Sequence, residues 1–270
     1  VEVYALPNVS AGPNQSVCEG ASVTLTATGA SSYGWSGSVT DGVSFTPPLG
    51  VNNYTVTGTD ANGCVNTAAV SVTVNALPVV SAGTYSDVCI DALPVDLLGS
   101  PVGGTFSGTG VTGNSFDPSV GTQTISYNYT DGNGCSGSAT ATITINPLPN
   151  VSGNDETVCE GTPIILLGSG AVTYSWSGGV VNGVAFTPVA SGSYTVTGTS
   201  SVGCENSDIV NVTLNPLPVV NAGNYPTTCS DASDIILVGS PLGGIFSGTG
   251  VTGNLFDPTA GTHQPDAEPD

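Results

Sequence analysis

Tyr54-Thr55-Val56-Thr57-Gly58-Thr59-Asp60-Ala61-Asn62-Gly63 is the stretch that decides the fold. Its first half alternates apolar and polar side chains, as a strand with one buried face does. Asp60 to Gly63 is then a turn signal. Ala68 to Val74 alternates again, so the stretch reads as two strands flanking a turn. Upstream, Val23-Thr24-Leu25-Thr26-Ala27, Tyr33-Gly34-Trp35 and Val43-Ser44-Phe45 read the same way. Short strands punctuated by turns every 8–12 residues or so predict an antiparallel β-sandwich, with Trp35, Tyr54 and Phe45 as its aromatic core. The surroundings are rich in Val, Thr, Ser, Gly and Asn, which favour strands and turns over helices.

The same stretch returns as Tyr194 to Thr199. Phe45, Phe116, Phe186 and Phe256 lie 71, 70 and 70 residues apart, each two residues before a proline. Trp35, Phe106, Trp176 and Phe246 keep this spacing, and Leu-Pro recurs at Leu6-Pro7, Leu77-Pro78, Leu148-Pro149 and Leu217-Pro218. A period near 70 exceeds the 20–50 residues or so of a solenoid repeat and suits a small domain. The chain therefore divides into module A1 (8–77), module B1 (78–148), module A2 (149–217) and an incomplete module B2 (218–262). A1 and A2 share Tyr-x-Trp-Ser-Gly. B1 and B2 share a long Gly-Ser-Pro motif at Gly99 to Asn114 and Gly239 to Asn254. Residues 1–7 match Val72 to Pro78 and read as the last strand of a preceding module, so the chain reads as a piece of something longer. Residues 263–270 form an aberrant acidic tail, rich in proline, that does not read as a strand, which leaves Phe246 and Phe256 in an open core. Linkers as short as Asn75-Ala76-Leu77-Pro78 stiffen the joints, so the expected architecture is all-β sandwich modules set end to end as a rod.

The chain has 20 acidic residues, no lysine and no arginine, for a formal net charge of −20. Nothing can neutralise phosphate backbones, which excludes nucleic acid as a partner. Anionic membrane surfaces are excluded for the same reason, and no apolar run is long enough for membrane insertion. A single histidine, His263, offers no Ser–His–Asp arrangement. Asp155, Glu156 and Glu160 form the densest acidic cluster but have no counterpart in the other modules. The chain is not read as an enzyme.

Cys18, Cys64, Cys89, Cys135, Cys159, Cys204 and Cys229 follow the repeat. One pair per module implies one disulfide per module and an oxidising compartment. The preferred pairing is Cys18–Cys64, Cys89–Cys135 and Cys159–Cys204, leaving Cys229 unpaired, because it closes each module independently. The rival pairing, Cys64–Cys89, Cys135–Cys159 and Cys204–Cys229, joins neighbours. Asp60, Asn62, Asp131 and Asn133 place oxygen atoms on tight turns and are candidate calcium ligands. Against this stands the plainer reading of an Asp or Asn capping a hairpin turn, and Ser200-Ser201-Val202-Gly203 occupies the same place with no carboxylate. No other cofactor is indicated.

Val17-Cys18-Glu19-Gly20-Ala21-Ser22-Val23-Thr24-Leu25, Tyr54-Thr55-Val56-Thr57, Thr59-Asp60-Ala61-Asn62-Gly63-Cys64 and Asn215-Pro216-Leu217-Pro218 resemble the Ig-like/PKD-like tandem repeats of large Bacteroidota cell-surface adhesins. Gliding-motility adhesins and other type 9 secretion cargo are of this kind. The resemblance covers residues 1–262. It implies an extracellular, cell-surface stalk or repeat segment of an adhesin or filament, giving reach and multivalent display. Its partners would be neighbouring modules of the same polypeptide and other surface proteins, glycans or solid surfaces. The alternatives are a glycan- or protein-binding module within the same adhesin, and a filament subunit polymerising by donated strands.

Overall fold

The computed structural model describes residues 1–261 and the backbone of Asp266–Glu268. The chain is all-β, a series of β-sandwich modules, and it separates into two compact units, Val1–Leu148 and Pro149–Asp270. Among the described residues no helix is long and apolar enough to cross a membrane.

The first unit holds A1 and B1. A1 contains β1 (Gln15–Cys18), β2 (Val23–Thr24), β3 (Ser32–Trp35), β4 (Ser44–Phe45), β5 (Gly50–Thr59) and β6 (Val65–Asn75). One layer has the order β1-β6-β5-β3. The other is the β2–β4 pair together with a bridge between Ser10 and Thr28. The alternation read from sequence is the burial pattern: Tyr54, Val56, Val70, Val72 and Val74 are buried, while Thr55 and Thr57 are exposed. Val23, Leu25 and Ala27 meet them from the opposite layer. Each large apolar side chain placed there contributes about 1.5–3 kcal/mol relative to exposure. Of the expected aromatic core only Tyr54 is buried. Trp35 and Phe45 are half-buried against it, with the Phe45 and Tyr54 rings edge to face at 5.3 Å. Gly58 follows from packing: a Cβ there would lie 2.6 Å from Val9 and 2.8 Å from Ala30, and Gly198 in A2 faces Val151 and Ala171 in the same way.

B1 contains β7 (Val88–Cys89), β8 (Val95–Asp96), β9 (Thr105–Ser107), β10 (Val111–Thr112), β11 (Ser115–Phe116), β12 (Gln123–Thr130), β13 (Ser136–Ile143) and β14 (Ile145–Asn146). The β13-β12-β9 and β14-β7 sheets oppose β10-β11-β8. Leu97, Phe116, Ile125, Ile143 and Ile145 fill the space between them.

The second unit holds A2 and B2. A2 contains β15 (Glu156–Cys159), β16 (Thr173–Trp176), β17 (Gly192–Thr199) and β18 (Glu205–Asn215), in the order β15-β18-β17-β16, and its second layer is reduced to the Ile164–Phe186 and Ser152–Ser169 bridges. B2 contains β19 (Ile235–Ile236), β20 (Ile245–Ser247), β21 (Val251–Thr252), β22 (Leu255–Phe256) and β23 (Asp266–Glu268). The last of these corrects the reading of the acidic tail. Its backbone pairs with β20 so that Ala267 stands opposite Phe246, the register in which Tyr127 stands opposite Phe106 in B1. An open sheet edge selects backbone hydrogen-bonding groups, and an acidic side-chain pattern does not prevent that. His263 lies outside the described residues.

One feature departs from a purely antiparallel sandwich. The first strand of a module runs parallel to its last: β1 with β6, β7 with β14, and β15 with β18. The chain therefore enters each of these modules at one end and leaves it at the other.

Candidate functional site at the module joint

The exit end of A1 is where β1 and β6 finish together. Cys18 stands opposite Asn75. The Glu19 amide donates to the Asn75 carbonyl at 2.8 Å, and the Asn75 side chain donates to Ser16 Oγ at 2.9 Å. The linker Ala76-Leu77-Pro78 begins at this point. The entrance end of B1 carries the β12–β13 turn, and the linker lies on it: a Cβ on Gly137 would come within 2.7 Å of both the Pro78 carbonyl and Val80. In A1 the matching position is Asn66, whose side chain donates to the Pro7 carbonyl at 2.9 Å. In A2 it is Asn206, which donates to the Pro149 carbonyl at 3.0 Å.

The turn is built by its aspartate. Asp131 Oδ1 accepts from the Asn133 amide at 2.9 Å and the Cys135 amide at 2.8 Å, and Gly134 adopts φ +82° to close the turn. Asp60 Oδ1 does the same in A1, accepting from the Asn62 and Cys64 amides, both at 2.8 Å. In A2 Ser200 Oγ accepts from the Cys204 amide at 3.1 Å. Asp60 and Asp131 are therefore engaged with backbone N–H groups on their own turns, the capping role. Asn62 and Asn133 contribute their backbone amides to these caps. No group of three His, Cys, Asp or Glu side chains gathers as a metal site among the described residues.

Cys135, held by this turn, is bonded to Cys18, with Cα atoms 5.5 Å apart and a sequence separation of 117. This overturns the expected Cys18–Cys64 and Cys89–Cys135 bridges. The reason is strand length. Cys64 immediately precedes β6 and Cys18 lies beside its far end, and at ~3.3 Å per residue the two are roughly 30 Å apart. A disulfide requires Cα atoms within about 7 Å. A2 is built alike: Cys159 stands opposite Asn215 at the far end of β18 and Cys204 immediately precedes its start. Cys159 is free, so the expected Cys159–Cys204 bridge fails as well. Free Cys64 and Cys229 exclude the rival Cys64–Cys89 and Cys204–Cys229 pairs, and Cys135's bond to Cys18 excludes Cys135–Cys159. Cys89 and Cys204 are both disulfide-bonded.

Elsewhere the polar ends of aromatic side chains are used inside the modules. Tyr33 Oη donates to the Ala30 carbonyl and accepts from the Ala30 amide, both at 2.8 Å, and Tyr174 repeats this with Ala171. Trp35 Nε1 donates to Asp41 at 2.8 Å, and Trp176 Nε1 donates to Asn182 at 3.0 Å. Tyr85 and Tyr225 do not break this pattern. Tyr85 packs on the B1 core and donates to the Ala82 carbonyl, and Tyr225 donates to the Ala222 carbonyl. Their 140-residue spacing was the available signal that they are structural. Of the aromatic side chains among the described residues only Tyr4 is exposed. Asp117 and Asp257 cap short 3-10 turns. The Ser119 amide and hydroxyl hold the Asp117 carboxyl below its ordinary value, and the Thr259 hydroxyl and amide do so for Asp257. In B2, Phe246 and Phe256 are half-buried and line grooves of about 470 and 510 Å³ respectively. Ile235, Ile236 and Leu237 share these grooves, and among the described residues no cluster of titratable groups converges there.

The chain matches no protein-family model and no curated protein. Among solved structures it is similar to the N-terminal eight Ig domains of Down Syndrome Cell Adhesion Molecule, at 10% identity and a TM-score of 0.40, over 78% of this chain and 37% of that one. It is similar to repeats EC22-24 of mouse cadherin-23, at 13% identity and a TM-score of 0.29, over 78% of this chain and 99% of that one. It is also similar to an adhesin described as Ca2+-stabilized and as helping an Antarctic bacterium reach out and bind ice. There the identity is 14% and the TM-score 0.28, over 64% of this chain and 60% of that one.

Proposed function

We propose that this chain is a structural stalk or repeat segment of an extracellular cell-surface adhesin or filament, giving reach and multivalent display. The observation that carries the reading is the Cys18–Cys135 bond, which lies across the joint between two modules and not within either. A bond placed there reinforces the connection that a pulled array would strain. Parallel first and last strands support the same reading, because they send the chain through each module from end to end. Disulfides point to an oxidising, extracellular setting. The repeats suit the gliding-motility and type 9 secretion cargo that their sequences resemble. In such a stalk the partners of a module are its neighbours in the same polypeptide, and target surfaces are met elsewhere. The Asp60 and Asp131 turns close on backbone N–H groups, so calcium is not assigned a role in them.

Small-angle X-ray scattering of the unreduced chain tests the proposal. A compact chain of this length has a radius of gyration near 18 Å. Modules of roughly 35–40 Å placed end to end exceed about 100 Å and give about 29 Å or more. A value near the compact limit refutes reach as the function.

A further inference from the structure

We infer that the array is cross-linked by a rule of register: the first cysteine of a module bonds to the second cysteine of the module that follows it. Cys64 and Cys159 are then attachment sites, each for a cysteine of another module. This deepens the stalk reading and rests on it.

The bonded pair defines two classes of cysteine by position. Cys18 lies at a module's exit end, opposite the last residue of the last strand. Cys135 lies at an entrance end, on the aspartate-capped turn. Cys64 belongs to the second class. Asp60 holds its amide at 2.8 Å, as Asp131 holds that of Cys135 at 2.8 Å. Cys159 belongs to the first class. It stands opposite Asn215, and the Glu160 amide donates to the Asn215 carbonyl at 3.0 Å, as the Glu19 amide donates to Asn75 at 2.8 Å. Cys64 and Cys159 are free cysteines whose neighbour of opposite class is not among the residues of this chain. Cys64 would need a first-class cysteine upstream of A1, and Cys159 a second-class cysteine on the B2 counterpart of the β12–β13 turn.

Accessibility agrees. Cys135 is fully buried at its bond, whereas Cys64 is half-buried and Cys159 is exposed. The entrance of A1 also presents the right neighbour. Pro7 is held by Asn66, two residues from Cys64, and Val1 to Pro7 repeat the sequence pattern of Val72 to Pro78. In that match Tyr4 takes the place of Asn75, the residue that stands beside Cys18. A first-class cysteine pairing with this strand would arrive at the end of A1 that carries Cys64. In forming the bond the two thiols give up two protons and two electrons. The acceptor is a disulfide-bearing thiol oxidant, which becomes a dithiol.

The test adds one module to the intact chain. A copy of residues 78–142 is fused ahead of Val1, so that Val1–Pro7 completes the last strand of the added module. Both proteins are produced in an oxidising compartment, alkylated with iodoacetamide without reduction and mapped after chymotrypsin and Glu-C digestion. Cys64 should be alkylated in the 270-residue chain. In the fusion it should be recovered bonded to the copied Cys89, with alkylation reduced roughly tenfold or more. Changing the copied Cys89→Ser should restore alkylation. Cys64 still fully alkylated in the fusion, or bonded to a second chain, overturns the inference, and so does failure to recover Cys18–Cys135. Scattering of the same samples keeps the stalk reading separately testable, since an extended array without the Cys64 bond refutes only the register rule.

Discussion

Cys18→Ala should destabilise two modules, not one. The bond closes a loop with a sequence separation of 117. On the chain-entropy model a loop of that length is worth about 4.9 kcal/mol at 25 °C, against about 4.0 for the 46-residue spacing within a module. The larger difference lies in what is coupled. The bond lies between A1 and B1, so opening either module works against a closure anchored in the other. For a unit of about 150 residues each kcal/mol shifts Tm by roughly 2–4 °C, so losing the bond should lower Tm by about 10–20 °C. It should also broaden or split the transition of the first unit. Scanning calorimetry without reductant, on the parent and on Cys18→Ala, Cys135→Ala and Cys64→Ala, reads this directly. Cys18→Ala and Cys135→Ala should match each other, and Cys64→Ala should match the unreduced parent. If Cys64→Ala costs as much as Cys18→Ala while Cys135→Ala costs little, the bond lies within A1 and the reasoning from strand length is wrong.

Two further predictions concern the carboxylates. Asp131→Ala removes the acceptor for two backbone amides and should cost about 2 kcal/mol in denaturant unfolding. Asp131→Asn, which keeps an acceptor oxygen, should cost less than half of that, and EDTA should leave the parent's midpoint unchanged. A midpoint that falls with EDTA would restore calcium to the turn. Asp257 titrates below its ordinary value of 3.8 because the Thr259 hydroxyl, then the Thr259 amide, bond its charged form. Its contribution to stability is therefore present above that value and is lost as pH falls through the lower folded-state pKa. Thr259→Val should move the Asp257 midpoint upward in a carboxyl NMR titration, and an unmoved midpoint would mean that the hydroxyl does not cap.

The alternation in Tyr54 to Thr57 and Ala68 to Val74 was enough to name the strands, because period-two side-chain placement is a local property of extended backbone. The 70-residue recurrence has a structural counterpart, since the order β1-β6-β5-β3 returns as β15-β18-β17-β16. Tyr54 reached the core, while Trp35 and Phe45 stopped at its margin, since the degree of burial depends on what the opposite layer covers. Asp60 and Asp131 were legible as turn caps because an Asx turn is closed within four residues.

The cysteine pairing was not legible. Equal spacing within each module suggested a bond within it, and spacing in sequence does not state at which end of a strand a residue lies. What decided the matter was the direction of β1 against β6. Run antiparallel, Cys18 would start from the opposite end of the strand. Run parallel, it finishes beside Asn75, about thirty ångströms from Cys64 and next to the following module's turn. The sequence by itself determined the strands, the turns and the charge. Only the tertiary structure set the sense in which first and last strands pair, because that pairing joins residues nearly sixty positions apart through backbone hydrogen bonds that carry no side-chain signature.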